Sequence, residues 1–266
     1  MSTERTSTRP AQRELLDAAT AEVNAFERVG RKDLALETWH AAREAADKAR
    51  RDCWAGLRAR YGARYPRWGW ASFTLLGAAL CAAVAAVLTS GFRFNPAETG
   101  TIAAALAAIA AIGDLLVVLS SRFRPMSQGT LRSQVIVTIA LVLAAAFQVS
   151  RGLPTAPVVI GAAVIGIGAL ITYFVVRAAD PEGAEEIDTA INVALDRMRP
   201  EVAATEQRMR ADLAAQLTAS EQASIVGSRG PVPAGGPVDA SAPAGGVIIA
   251  VLLDTWIPEV LRASDA

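Results

Sequence analysis

Histidine is almost missing from this 266-residue chain: His40 is the only one, and only two cysteines and two lysines accompany it. Each shortage removes a class of chemistry. Glu37 and His40 form Glu-x-x-His, half of a di-iron helix-bundle ligand set, and no second histidine exists to complete it. His40 therefore reads as a helix-surface or hairpin-interface residue. Cys53 falls in a charged stretch and Cys81 in an apolar one, which supports neither a disulfide framework nor a Cys/His zinc site. Neither Lys32 nor Lys48 follows a phosphate-binding glycine run. No metal, nucleotide or other cofactor is expected, and the inventory for a general base and nucleophile is too thin to suggest an enzyme.

Charge is scarce in one place only. Between Trp68 and Val176 the acids are Glu98 and Asp114, with five arginines, while the flanks hold every other charged residue. The flanks themselves differ, with fourteen basic against ten acidic residues up to Arg67, and seven against fourteen from Arg177 onward. A basic arm precedes the uncharged middle and an acidic arm follows it. Abundant alanine and the near replacement of lysine by arginine suggest a GC-rich bacterial source.

Crossing about 30 Å of hydrocarbon takes about 20 apolar residues, and a helix is the form that satisfies its own backbone there. Four stretches fit: 70–88, 102–119, 134–153 and 157–176. The expected fold class is all-α, a polytopic membrane protein with a four-helix transmembrane bundle and helical arms outside it. Pairs of small residues four apart, Ala79/Ala83, Ala82/Ala86, Ala104/Ala108, Ala107/Ala111 and Ala162/Gly166, favour close helix packing or self-association.

Arginine placement gives a direction. Arg58, Arg60, Arg64 and Arg67 precede the first span, and Arg122, Arg124 and Arg132 lie between the second and third; the other two loops hold Arg93 and Arg151 alone. Basic residues are retained on the cytoplasmic side, so both ends are expected inside, in a bacterial inner membrane. Arg58, Arg60, Arg64, Arg67, Arg122 and Arg124 are read as facing anionic lipid headgroups, with nucleic acid the weaker reading. Tyr65, Trp68, Trp70, Tyr173 and Phe174 fall near the same face.

The arms carry helical periodicity. Residues 1–67 read as a hairpin or one long helix, with Leu15, Leu16, Ala19, Val23 and Phe26 as an apolar stripe. Within 178–222, Ile187, Ile191, Ala194, Met198, Val202, Thr205, Met209, Leu213 and Leu217 recur as a coiled-coil-like seam, with Pro200 expected to kink or divide it. Opposite net charges predict that the arms pack on each other or on a second copy. Residues 223–246 read as a Gly/Pro/Ala linker. Beyond it, 247–266 is a short apolar segment, and Val247, Ile248, Ile249, Leu252, Leu253, Trp256 and Ile257 are expected to dock on a partner protein, with the membrane surface or the chain's own bundle as alternatives.

Among the polar residues inside the spans, Asp114 and Gln148 stand out, the first as the one acid. A carboxyl in lipid costs several kcal/mol unless protonated, paired or hydrated, so Asp114 marks either a functional position or a hydrated one paired with Arg122, Arg124 or Tyr173. The function expected is that of a membrane anchor or scaffold whose cytoplasmic helices oligomerise or recruit a protein. The alternative is an oligomeric pore or transfer channel.

Overall fold

A computed structural model describes residues 8–66, 69–233, 238–239 and 241–258. Among them the chain is all helical, as α1 (Thr8–Arg28), α2 (Lys32–Tyr61), a short 3-10 turn (Gly62–Arg64), α3 (Trp70–Ser90), α4 (Pro96–Ser120), α5 (Gln128–Ser150), α6 (Ala156–Ala179), α7 (Pro181–Ala215), α8 (Ala219–Ser228) and α9 (Gly246–Asp254). Two compact units result: Leu57–Val193, and the residues up to Gly56 together with those from Ala194 onward.

In the first unit α3 to α6 are 21 to 25 residues long. At 1.5 Å per residue that is about 32 to 38 Å, enough to cross a bilayer. These four helices make the chain a multi-pass membrane protein by length and composition. Local chemistry sets their ends. Asn95 caps α4 by accepting the Ala97 N–H at 3.2 Å, and Pro96 follows at the first helical position. Ser127 starts α5 by accepting the Thr130 N–H, six residues earlier than the apolar run suggests. At the other end Gly152, with φ at +61°, and Pro154 stop α5 before the expected Leu153.

Helix α3 packs on α4 and α5, and α6 packs on the same two, so the cyclic order is α3, α4, α6, α5, with α4 and α5 meeting across the diagonal. The interior is built from small side chains: Ala78, Ala82, Ala85, Ala103, Ala107, Ala110, Ala144 and Ala162 surround Val137, Leu141 and Val159. Large apolar side chains point the other way, Phe73, Leu80 and Val164 being 59%, 66% and 62% exposed. A helical bundle in water buries its large residues; this inversion fits lipid as the solvent, where close backbone approach through alanine supplies the contact. Ala82/Ala86, Ala107/Ala111 and Ala162/Gly166 face inward, whereas Ala83 faces out.

The second unit is assembled from both ends of the chain. Helix α1 packs on α8 and α9. Helices α2 and α7 run antiparallel: Glu37 and Ala41 lie beside Met209, Asp212 and Gln216, while Ala45, Ala49 and Asp52 lie across a groove from Met198, Val202 and Thr205. The arms of opposite charge therefore meet within one chain. The seam faces inward, with Leu213 and Leu217 buried and Met198, Val202, Thr205 and Met209 half-buried. Helix α7 continues without a break through Pro200.

The linker expected over 223–246 is corrected in two respects. Its first residues belong to α8, which Thr218 opens with a reciprocal capping box to Glu221. Further on, Val238, Ala242 and Ala244 are buried.

Candidate functional site

Asp114 lies one and a half turns from the end of α4 and is fully buried. Its partner is not an arginine. Gln134 on α5 donates through Nε2 to Asp114 Oδ2 at 2.7 Å, and makes longer contacts of 3.5 Å with Thr138 Oγ1 and the Gly166 carbonyl of α6. Thr138 donates to the same carbonyl at 3.0 Å. Gly166 permits this meeting: a Cβ there would lie 3.1 Å from Leu141 Cδ1 and 3.7 Å from Thr138. The pairing expected with Arg122 or Arg124 is thus replaced by an amide. Both arginines lie past the end of α4 and are exposed, because Arg122 and Phe123 adopt left-handed backbone conformations, φ +53° and +54°, that turn the chain away.

Tyr173 of α6, buried at 3% exposure, packs in the cluster that holds Val117 and Val118, three and four residues beyond Asp114 on α4. Three atoms in this cluster lack a hydrogen-bond partner: Asp114 Oδ1, Gln134 Oε1 and the Tyr173 hydroxyl. Gln134 was legible only as a span end, whereas Tyr173 was expected both as an interfacial aromatic and as one of the candidate partners of Asp114. The missed signal is the spacing Thr130, Gln134, Thr138, which lines one face of α5 with polar groups.

Gln148, the second polar residue singled out from the sequence, is buried near the opposite end. It accepts from Thr155 at 2.9 Å and donates to the Gly100 carbonyl at 3.4 Å, which closes that end of the bundle. Arg151 donates to the Ser90 carbonyl at 2.5 Å over Gly91.

The arginines at the α4–α5 loop end divide by partner. Arg60 pairs with Glu186 at 2.5 Å, which also accepts from Tyr61. Arg64 reaches the Pro125 carbonyl at 3.5 Å and stacks over Tyr61, and Arg58 lies over Tyr65. Burial pushes the Arg64 guanidinium down, aided by nearby Arg124, and Arg60 holds the Glu186 carboxyl below its usual range. Arg177, which sequence alone did not single out, donates to the Met126 carbonyl at 2.6 Å and pairs with Asp188, which accepts the Gln128 N–H. The end of α2, the α4–α5 loop and the start of α7 are thereby tied together. Arg58, Arg60, Arg122 and Arg124 are exposed and Arg64 is half-buried, while Arg67 lies outside the described residues.

The apolar C-terminal segment is not an open docking peptide. Val247, Ile248, Ile249, Leu252 and Leu253 form α9 and are 5% exposed or less, and Trp256 and Ile257 follow at 4% and 7%. Seven apolar residues with no polar face lower their free energy by burial wherever a groove is at hand, and α1 supplies it. Glu22 of α1 fixes the joint. It accepts the N–H groups of Gly245 at 3.0 Å and Ile248 at 2.9 Å, and pairs with Arg229 at 3.2 Å, both side chains being nearly inaccessible. Arg229 also donates to the Ala242 and Pro243 carbonyls. Burial outweighs these partners and holds the Glu22 carboxyl above its usual range. Its signal in sequence was its position on the apolar stripe between Ala19 and Phe26.

Among the described residues no group of three or more His, Cys, Asp and Glu side chains is placed to hold a metal ion. No protein-family model, curated protein or solved structure matches this chain.

Proposed function

We propose that the chain is a membrane anchor that presents a folded helical domain on the cytoplasmic side of a bacterial inner membrane, where it self-associates or holds a protein partner. One observation carries this reading. The two ends of the chain, separated by four spans, fold into a single unit with a buried α9 and a buried Glu22–Arg229 pair. Spans that served only to conduct would have no need of such a unit. An even number of crossings puts both ends on one side, and the arginine-rich loops support the cytoplasm as that side.

The α2–α7 groove is the face offered. It has a volume of about 340 Å³ and mixes alanine and valine with Glu44, Lys48, Glu201 and Arg208. Such a lining suits a helical partner with an apolar stripe and charged flanks. Exposed Arg122 and Arg124 meet anionic headgroups from the same side. A pore through one bundle lacks a comparable support, since the buried face of α5 between Thr138 and Gln148 is apolar.

Mass of the full chain in mild detergent tests the proposal. A particle of two or more copies, or one copy with a stoichiometric companion, is expected, and Ala45→Trp with Val202→Trp should fill the groove and return it to the mass of one 27.8 kDa chain. A lone monomer before any substitution would remove the proposal.

A further inference from the structure

The polar cluster on α4, α5 and α6 is out of balance in both charge and hydrogen bonds. Asp114 Oδ1 and Gln134 Oε1 are pure acceptors when the carboxyl is ionised, and neither has a donor. The Tyr173 hydroxyl is the one unpartnered donor beside them and brings a single proton. Neither acceptor receives that hydrogen. A water molecule could supply donors but would leave the buried negative charge unneutralised, which costs several kcal/mol.

Among the described residues no basic side chain faces that charge. On the four helices the other titratable groups are Cys81, Glu98, Arg132, Tyr173 and Arg177. Arg132 is exposed on the other side of α5, Arg177 is engaged with Met126 and Asp188, and Glu98 is held by Asn95 at the opposite end. Cys81 packs against the alanine core, and α3 presents Leu75 to the cluster that holds Val117 and Tyr173. Neutralisation must then come from a proton or a small cation. Carboxylate, amide carbonyl and hydroxyl oxygens are the donor set a dehydrated monovalent cation accepts.

The path to the cluster is one-sided. A cleft of about 280 Å³ at the α4–α5 loop end is lined by Ser72, Ser127, Thr130 and Ser133, with Pro66 and Leu75 beside them. Thr130, Gln134 and Thr138 continue from it along the buried face of α5. Beyond Thr138 that face turns to Leu141, Ala144 and Ala145, packed on Ala103, Ala107 and Ala162. The apolar stretch up to Gln148 is about 15 Å long and closes the far side.

We propose that Asp114, Gln134 and Tyr173 form an intramembrane site for one small monovalent cation, a proton or a sodium ion, loaded only from the α4–α5 loop side. Gln134 is a positioning residue that holds one carboxylate oxygen and leaves the other to the cation. The site goes beyond the anchoring role and does not depend on it.

The full chain in liposomes, treated with dicyclohexylcarbodiimide and mapped by peptide mass, tests this. That reagent partitions into lipid and adds to protonated carboxyls. In sodium-free buffer Asp114 should be labelled at acidic pH, and the labelling should fall at least about tenfold as the pH rises from about 5.5 to about 9. Protection by sodium chloride but not choline chloride identifies a sodium site, and pH dependence without protection identifies a proton site. Either supports the proposal. An unlabelled Asp114 at every pH, with its peptide recovered, means a carboxylate neutralised by neither and overturns it. Labelling indifferent to both pH and sodium means a permanently protonated structural acid and overturns it too. For the sidedness, Thr130→Cys in a Cys53→Ser, Cys81→Ser background should react with a membrane-impermeant thiol reagent from the loop side and Ala145→Cys from neither. Reaction of Ala145→Cys from the far side would contradict one-sided loading.

Discussion

Glu22 on α1 accepts the backbone N–H of Ile248 at 2.9 Å, across 226 positions of sequence. The first turn of any helix leaves N–H groups without partners, and Gly245, the residue before α9, has no side chain to cap it. A carboxylate from the other end of the chain does that work, and Arg229 neutralises it.

Removing one member of a buried, hydrogen-bonded pair leaves the other uncompensated, at a cost of about 3–5 kcal/mol. Glu22→Ala should lower the unfolding free energy of the second unit by about that amount, read by denaturant unfolding in detergent. Glu22→Gln keeps an acceptor for Ile248 and should lose less. The pH dependence has a definite sign. Burial raises the folded-state value, so the folded protein binds more protons than the unfolded chain just above the ordinary carboxylate range. The contribution of Glu22 to stability should therefore fall as pH rises through that window, level off above the raised value, and vanish in Glu22→Gln.

Glu221 behaves in the opposite way. Arg31 at 2.8 Å and the Thr218 backbone and hydroxyl hold its carboxyl down to about 2. Its stabilising effect is complete above the ordinary carboxylate range and is lost as pH falls toward about 2. The carboxyl carbon shift of Glu221, followed by NMR in micelles, should titrate near that value, and Arg31→Ala should move the midpoint upward.

Gly245 has φ of +79°, and a Cβ there would lie 2.0 Å from Leu213 Cδ2. Gly245→Ala adds left-handed strain to overpacking, at about 1–3 kcal/mol for each. A lowered thermal midpoint with unchanged helical content in the spans is expected by circular dichroism.

Much of the membrane unit was readable because lipid imposes a simple rule: length and apolarity suffice to mark a span, and all four helices contain the predicted stretches save the last residues of the third. What could not be read there was pairing across helices. Asp114 stood out as a charge in an apolar run, but its partner Gln134 sat at a span boundary where a polar residue looks ordinary. The soluble arms were harder. Their amphipathic stripes were visible, yet the occupant of the groove they form was not, because an isolated apolar run such as Val247 to Leu253 has the same composition whether it docks on a stranger or on its own chain. Glu22 and Arg229, separated by most of the sequence, carry no local pattern that links them.

Gly166 lets α6 approach α5 closely, and a Cβ there would lie 3.1 Å from Leu141 Cδ1. Gly166→Val should cost about 1–3 kcal/mol by overpacking and part Thr138 from the Gly166 carbonyl. Steric-trap or denaturant unfolding in micelles measures the loss, and Gly168→Val, with open space around its Cβ, should be nearly neutral by the same assay.

The anchoring role requires a lipid-embedded bundle with the α4–α5 loop and the folded arms on the cytoplasmic side. Impermeant-thiol labelling of Phe92→Cys and Arg122→Cys, each in the Cys53→Ser, Cys81→Ser background and in both right-side-out and inverted bacterial vesicles, tests that directly. Phe92→Cys should label only in right-side-out vesicles and Arg122→Cys only in inverted ones. Labelling of both positions from the same side, or recovery of the chain in the soluble fraction without detergent, would contradict it.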